Sequence, residues 1–128
     1  MSRLLTPELI CQLLDKDARA GLSTDYVRLM EIYCVVKAGG VNAQVSAARH
    51  LEEAERAAML VEITELSKQA DQASRIESLR QEIAEVERSA AHRIAYLSAI
   101  DPQEEANVRS CLPLIDVYFA NLRKVETL

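Results

Sequence analysis

Few side chains in this sequence have the type and spacing that catalysis or metal binding requires. In helical di-metal sites a glutamate lies three residues before each histidine, whereas here Glu53 lies three residues after His50, and His92 has no such partner. No serine lies in a nucleophile elbow, and Gly39-Gly40 is not followed by the lysine and hydroxyl residue of a phosphate loop. The sequence therefore predicts no catalytic residue, no metal and no cofactor, and so a protein that is not an enzyme.

The three cysteines, Cys11, Cys34 and Cys111, are widely spaced and have apolar neighbours. An odd number at such spacing does not fit a disulfide framework or a zinc knuckle. Free cysteines commonly behave as small buried hydrophobic residues. We expect three buried, reduced thiols, and the alternative is a disulfide across a dimer.

The net charge of −5 comes mainly from the middle of the chain, where residues 41–101 contain eleven acids and seven bases. Nucleic-acid-binding proteins usually present a basic stripe, so this charge does not favour a nucleic acid as partner. The simplest interpretation is a solvated helix face. The functional alternative is an acidic surface that captures a basic partner or imitates a nucleic-acid backbone. The residues of this possible partner face are Glu52, Glu53, Glu55 and Glu62.

The elements that would position these residues are helices. No Gly or Pro occurs from Val41 to Asp101, and the segment is rich in Ala, Glu, Arg, Leu and Gln. It predicts a long central helix or a helical hairpin over residues 42–100. A capping-box pattern at Ser74 and Glu77 favours a break near residues 67–74. Because those residues include no helix breaker, we favour a continuous helix.

Shorter helices flank this segment. Thr6-Pro7 predicts the start of a helix over 7–20, which Gly21 would end. A second helix over 24–38 would be capped by Ser23 or Thr24 and closed by Gly39-Gly40.

The last helix is predicted over 102–126. Asp101-Pro102 supplies its N-cap and first residue, and Pro113 should kink or split it. A tight turn at Asp101-Pro102 would fold this helix back antiparallel. The predicted fold is therefore a single all-α domain: an elongated helical bundle with a long central helix or helical hairpin and antiparallel flanking helices.

Apolar surface is the feature from which we predict function. The second helix is apolar on nearly every side, and the last helix has a wide apolar face. One neighbouring helix would not cover all of this apolar surface, so self-association or a partner protein is expected. Pairing of two copies around a two-fold axis is the commonest form of self-association. We predict a small acidic chaperone, adaptor or inhibitor that forms a homodimer and binds another protein. The predicted interface residues are Leu29, Ile32, Tyr33, Ile115, Tyr118, Phe119 and Leu122. Each of them could equally belong to the core of a single chain.

One stretch suggests a different function. The sequence from Tyr33 to Val41, followed by Ala43, Ala47, Ala48, Arg49, His50 and Leu51, resembles the first two helices of LysR-type winged helix-turn-helix proteins. The resemblance implies a transcriptional regulator or nucleoprotein component that uses Lys37, Arg49 and Arg56. After Leu51 that family has a turn and a polar recognition helix, whereas here acidic residues continue the helix and would repel phosphates.

The last expectations concern location and assembly. No apolar run approaches the roughly 20 residues that span a bilayer, and residues 1–5 are too short for the apolar part of a secretory signal. We expect a cytoplasmic protein with no membrane contact. A third alternative is a structural subunit of a larger helical assembly built on the long helix.

Overall fold

The computed structural model describes the backbone of residues 4–126 and the side chains of residues 4–124. These residues form six helices and no strand, which confirms the all-α prediction. The helices are α1 (Pro7–Leu14), α2 (Ser23–Lys37), α3 (Val41–Leu66), α4 (Ala73–Ser98), α5 (Pro102–Ser110) and α6 (Leu112–Glu126). No helix within 4–126 is both long and apolar enough to cross a bilayer.

The chain divides into two compact units. The core unit combines the residues up to 41 with those from 100 onwards, and so contains α1, α2, α5 and α6. The hairpin unit, residues 42–99, contains α4 and all of α3 except its first residue. That the chain is a single domain stays a prediction.

The first helix begins as predicted and ends early. Thr6 caps α1, because its Oγ1 accepts a hydrogen bond from the Leu9 amide at 3.2 Å. The helix stops at Leu14, whereas we predicted residue 20. Asp15 has an extended backbone, and its carboxylate accepts a hydrogen bond from the Asp17 amide at 3.0 Å. Such a local turn offers the backbone an alternative to the helix, and the predicted end at Gly21 is therefore wrong.

The turn from α2 to α3 uses two glycines. Gly40 has a φ of +100°, and its amide donates a hydrogen bond to the Val35 carbonyl at 2.9 Å. This left-handed conformation closes α2 at little cost only for glycine, as the sequence predicted. α3 then begins at Val41, whose amide donates to Glu105 Oε2 at 2.7 Å. A carboxylate from α5 thus satisfies an amide at the start of α3.

The predicted boundaries after residue 100 are confirmed. Asp101 Oδ1 accepts a hydrogen bond from the Gln103 amide at 2.7 Å, so Asp101 is the N-cap of α5. Pro113 is the second residue of α6, and the segment is split between Ser110 and Leu112. Proline lacks an amide hydrogen, so its place in the first turn leaves no helical hydrogen bond missing.

The core unit buries one apolar face from each of its four helices. Burial of each side chain of this size contributes roughly 1.5–3 kcal/mol. The buried cluster consists of Leu5, Leu9, Ile10, Leu13, Leu29, Ile32, Val36, Val108 and Ile115.

A buried carboxylate attaches the segment before α1 to this core. Glu104 accepts a hydrogen bond from the Leu5 amide at 2.7 Å and pairs with Arg28 at 3.2 Å. Asn107 Nδ2 donates to the Leu5 carbonyl at 2.8 Å. Both polar groups of the Leu5 backbone are therefore satisfied while its side chain is fully buried.

The hairpin unit corrects our preference for a continuous central helix. α3 ends at Leu66 and α4 begins at Ala73, so the hairpin alternative is the one that forms. The break needs no glycine because Asp71 adopts a left-handed φ of +62°, which aspartate tolerates better than most residues. The Ser67 hydroxyl donates to the Ile63 carbonyl at 2.7 Å, and this carbonyl also accepts the Ser67 amide at 2.9 Å.

The chain reverses in this turn, and α4 runs antiparallel to α3. Arg75 near the start of α4 pairs with Glu62 near the end of α3 at 3.2 Å. Ser74 does not act as the predicted cap, because α4 starts at Ala73, two residues before the start that a Ser74 cap would give. The N-cap is Gln72, whose side chain makes no capping hydrogen bond.

Candidate functional site

The seven predicted interface residues fall into two groups. Leu29, Ile32 and Ile115 belong to the core of the single chain, with 0%, 2% and 0% of their surface exposed. Their side chains are already covered by their own molecule. The other four lie at or near the surface of the core unit: Tyr33, Tyr118 and Phe119 are half-buried, and Leu122 is 40% exposed.

Three of these outer residues, Tyr33, Phe119 and Leu122, line an open hollow of about 580 Å³ between α2 and α6, which we call the α2–α6 groove. Tyr33 and Phe119 stack with their ring centroids 5.1 Å apart, and Tyr118 meets Phe119 edge-on at 5.4 Å. The groove is lined by Tyr26, Met30, Tyr33, Cys34, Phe119, Leu122 and Arg123. Most of this lining is ring, thioether and aliphatic surface, which can bind apolar groups.

A hydrogen-bonded carboxylate fixes one edge of the groove. Tyr33 donates its hydroxyl hydrogen to Asp116 at 2.6 Å, and Lys37 lies 3.4 Å from the same carboxylate. Burial, followed by the hydrogen bond to Asp116, raises the pKa of Tyr33 to about 12. The hydrogen bond from Tyr33 lowers the pKa of Asp116 below its ordinary value, and Lys37 adds to this effect. Tyr33 therefore stays a neutral donor with its ring held in place.

A second polar cluster, which the sequence analysis missed, supports Tyr118. Arg19 donates to the Tyr118 hydroxyl at 2.8 Å and lies 4.3 Å from the Tyr26 ring centroid. The hydroxyls of Tyr26 and Tyr118 are 2.9 Å apart. The spacing of Tyr26, Met30 and Tyr33 by four and three residues is a signal that could have identified this face of α2.

The predicted acidic partner face lies on α3. Glu52 accepts a hydrogen bond from Arg56 at 2.9 Å, and Glu62 pairs with Arg75. Glu53 and Glu55 are exposed. Glu52 and Glu55 also line a second hollow of about 300 Å³ between α3 and α4, which we call the hairpin groove.

The residues that could carry other chemistry are dispersed. His50 and His92 are both exposed, and the residues that the structure describes contain no group of three potential metal ligands. Cys11 and Cys34 are exposed, so the prediction that they are buried is wrong, while Cys111 is half-buried. Cys34 belongs to the lining of the α2–α6 groove.

The stretch that resembles a LysR-type helix-turn-helix forms two helices joined by the Gly39-Gly40 turn. The second of these helices, α3, continues to Leu66 without the turn that would precede a recognition helix. Arg56, one of the predicted basic contacts, pairs with Glu52. No protein-family model, no curated protein and no solved structure matches this chain.

Proposed function

We propose that this chain is a non-catalytic helical interaction protein that pairs with a second copy through the α2–α6 groove and binds another protein through a different helix face. The observation that carries the proposal is the groove itself, an apolar hollow of about 580 Å³ open to solvent. Its aromatic and methionine side chains are of the types enriched at protein interfaces. A cytoplasmic chaperone, adaptor or inhibitor fits such a protein.

The charges beside the groove favour a second copy as its occupant. Asp116 and Arg123 are seven residues apart, so they lie on nearly the same side of α6. If two copies of α6 pair antiparallel around a two-fold axis, Asp116 of each copy approaches Arg123 of the other. Phe119 lies between them and would contact its own counterpart. The charges of this patch are thus complementary to those of the same patch on a second copy.

Rigid rings make this pairing less costly. Tyr33 and Phe119 are already stacked, and Asp116 holds the Tyr33 hydroxyl, so little side-chain freedom remains to be lost on association. Pre-organised aromatic anchors of this kind commonly supply most of the energy of an interface. Leu122, at the edge, would exclude water from the rings.

The test is a pair of variants on α6 compared with the unmodified protein by sedimentation equilibrium. Leu122→Glu places a charge in the groove and should convert the dimer to a monomer. Val117→Glu is the matched control, because Val117 is 56% exposed but lies two residues before Phe119 and so on the other side of the helix. It should leave the dimer intact. A monomeric unmodified protein, or equal loss in both variants, would contradict the proposal.

A further inference from the structure

The hairpin unit has an incomplete core. α3 has 26 residues, and none of them is buried. In α4 only Leu79 and Leu97 are buried. Helices in proteins gain most of their stability from packing an apolar face against neighbouring elements. The apolar side of this hairpin therefore has room for a further element.

The hairpin groove is where that element fits. Ala48 and Leu51 of α3 and Val86 and Ala90 of α4 supply its apolar surface, with a volume of about 300 Å³. The two alanines leave a hollow into which side chains of a third helix can insert. Leu51 is 60% exposed at its edge, so it would be covered by such a helix.

The charges around the groove define the partner. Glu52, Glu55 and Glu85 line it together with one base, Arg93. Nearer the turn, Glu62 and Glu82 share Arg75 at 3.2 and 3.8 Å. Glu52 also pairs with Arg56 and Glu85 with Arg88, so acids outnumber bases by five to four along this side of the hairpin. A second copy of the hairpin would bring further acids against these, whereas a basic helix would be attracted.

We infer that the hairpin groove binds an amphipathic helix of a partner protein, with small and apolar residues along one face and Lys or Arg beside them. This inference rests on the proposed function, since it names the class of partner for a protein-binding chain. The bound helix would complete a three-helix arrangement with α3 and α4, and its basic residues would lie beside Glu55 and Glu85.

The experiment uses the full chain and two synthetic helical peptides with the same Leu and Ala face. Lysines flank this face in one peptide and glutamates in the other. Fluorescence anisotropy should show binding of the lysine peptide alone, with an affinity that falls as salt is added. The double variant E55K/E85K should weaken this binding at least tenfold. Circular dichroism of the variant checks that it remains helical.

The matched control is E53K/E87K, which changes the net charge by the same amount at exposed residues of the same two helices that do not line the groove. It should retain most of the binding. Equal binding of both peptides, or equal loss in both double variants, would overturn the inference. So would a shift of the protein to lower mass on Leu51→Glu, because that result would assign the groove to a second copy.

Failure here is separable from failure of the proposed function. Leu122→Glu should abolish self-association and leave binding of the lysine peptide unchanged. If the lysine peptide does not bind while Leu122→Glu still separates the dimer, the inference fails and the α2–α6 groove keeps its role. If the peptide binds and the unmodified protein is a monomer, pairing through the α2–α6 groove fails.

Discussion

The core unit and the hairpin unit use apolar residues in different ways. In the part of the chain that the structure describes, twelve hydrophobic residues are buried, and all but Leu79 and Leu97 belong to the core unit. The two longest helices, α3 and α4 at 26 residues each, nevertheless lie in the hairpin unit, apart from the first residue of α3. Helix length is therefore not what creates a core. The number of neighbours that cover each helix is what matters.

The hairpin depends more on interactions at its surface. Ion pairs such as Arg56 with Glu52 and Lys68 with Glu65 are solvent-accessible, and each such pair is worth at most about 1 kcal/mol. Alanine, frequent in α3, adds favourable helix propensity. The core unit, by contrast, gains its stability from close packing. We expect the hairpin to be the less stable of the two units.

The largest expected effect tests this contrast directly. Leu29→Ala removes a fully buried side chain from the core unit and should lower the free energy of unfolding by about 3 kcal/mol. Leu51→Ala removes a side chain of the same size that is 60% exposed on the hairpin. It should change the free energy of unfolding by less than about 0.5 kcal/mol. Urea unfolding followed by circular dichroism measures both. Similar losses would show that the hairpin packs as tightly as the core.

A smaller effect on the free energy of unfolding is expected at Gly40, in the turn between α2 and α3. Gly40→Ala would place a Cβ 2.7 Å from Arg109 Nη2 and 3.0 Å from Glu105 Oε2, at a φ of +100°. We expect a loss of about 2 kcal/mol, within the range for strained backbone. Gly21 also has a positive φ, but a Cβ added there would meet no atom within 4 Å. Gly21→Ala should therefore cost only the strain of the backbone, about 1 kcal/mol. Equal losses would mean that the contact with α5 is unimportant.

The smallest effect concerns the edge of the α2–α6 groove. Tyr33→Phe removes the hydrogen bond that lowers the pKa of Asp116, so that pKa should rise towards its ordinary value of 3.8. A carboxylate with a lowered pKa stabilises the fold fully above its unfolded pKa and loses this contribution as the pH falls through its folded pKa. When the pH is lowered below about 4, the free energy of unfolding should therefore fall less in Tyr33→Phe than in the unmodified protein.

The Asp116 titration can be followed by NMR of its carboxyl carbon. Tyr26→Phe is the control, because Tyr26 contacts Tyr118 at the other edge of the groove. It should leave the titration of Asp116 where it is in the unmodified protein. A pKa that Tyr33→Phe does not move would assign the shift to Lys37 instead.

Local signals in the sequence predicted several helix boundaries correctly. Thr6, Asp101 and Pro113 act through their own side chains on the nearest backbone groups, so their effect can be read without knowledge of the fold. The same reasoning failed at Asp15, where an alternative local hydrogen bond ends α1 early. It also failed at residues 67–72, where Asp71 takes the conformation that we expected only of glycine.

The candidate site was less predictable from the sequence, because it depends on which side chains are covered by other helices in the folded chain. Periodicity shows that Leu29 and Leu122 lie on apolar faces, but only tertiary packing decides that the first is buried and the second is exposed. The contacts of Tyr33 with Asp116 and of Arg19 with Tyr118 join residues 83 and 99 positions apart. No local pattern in a single sequence encodes such pairs. The hairpin groove likewise depends on the packing of α4 beside α3, which no local pattern specifies.

The attachment of Leu5 to Glu104 and Asn107 has a consequence for synthesis on the ribosome. Leu5 is separated in the sequence from Glu104 and Asn107 by the entire hairpin. α1 and α2 therefore emerge from the ribosome before the helices that cover them have been made. At roughly 5–20 residues per second, their apolar faces wait several seconds for α5 and α6. The nascent chain is therefore exposed to aggregation over this interval, and the late arrival of α5 completes folding of the earliest segment.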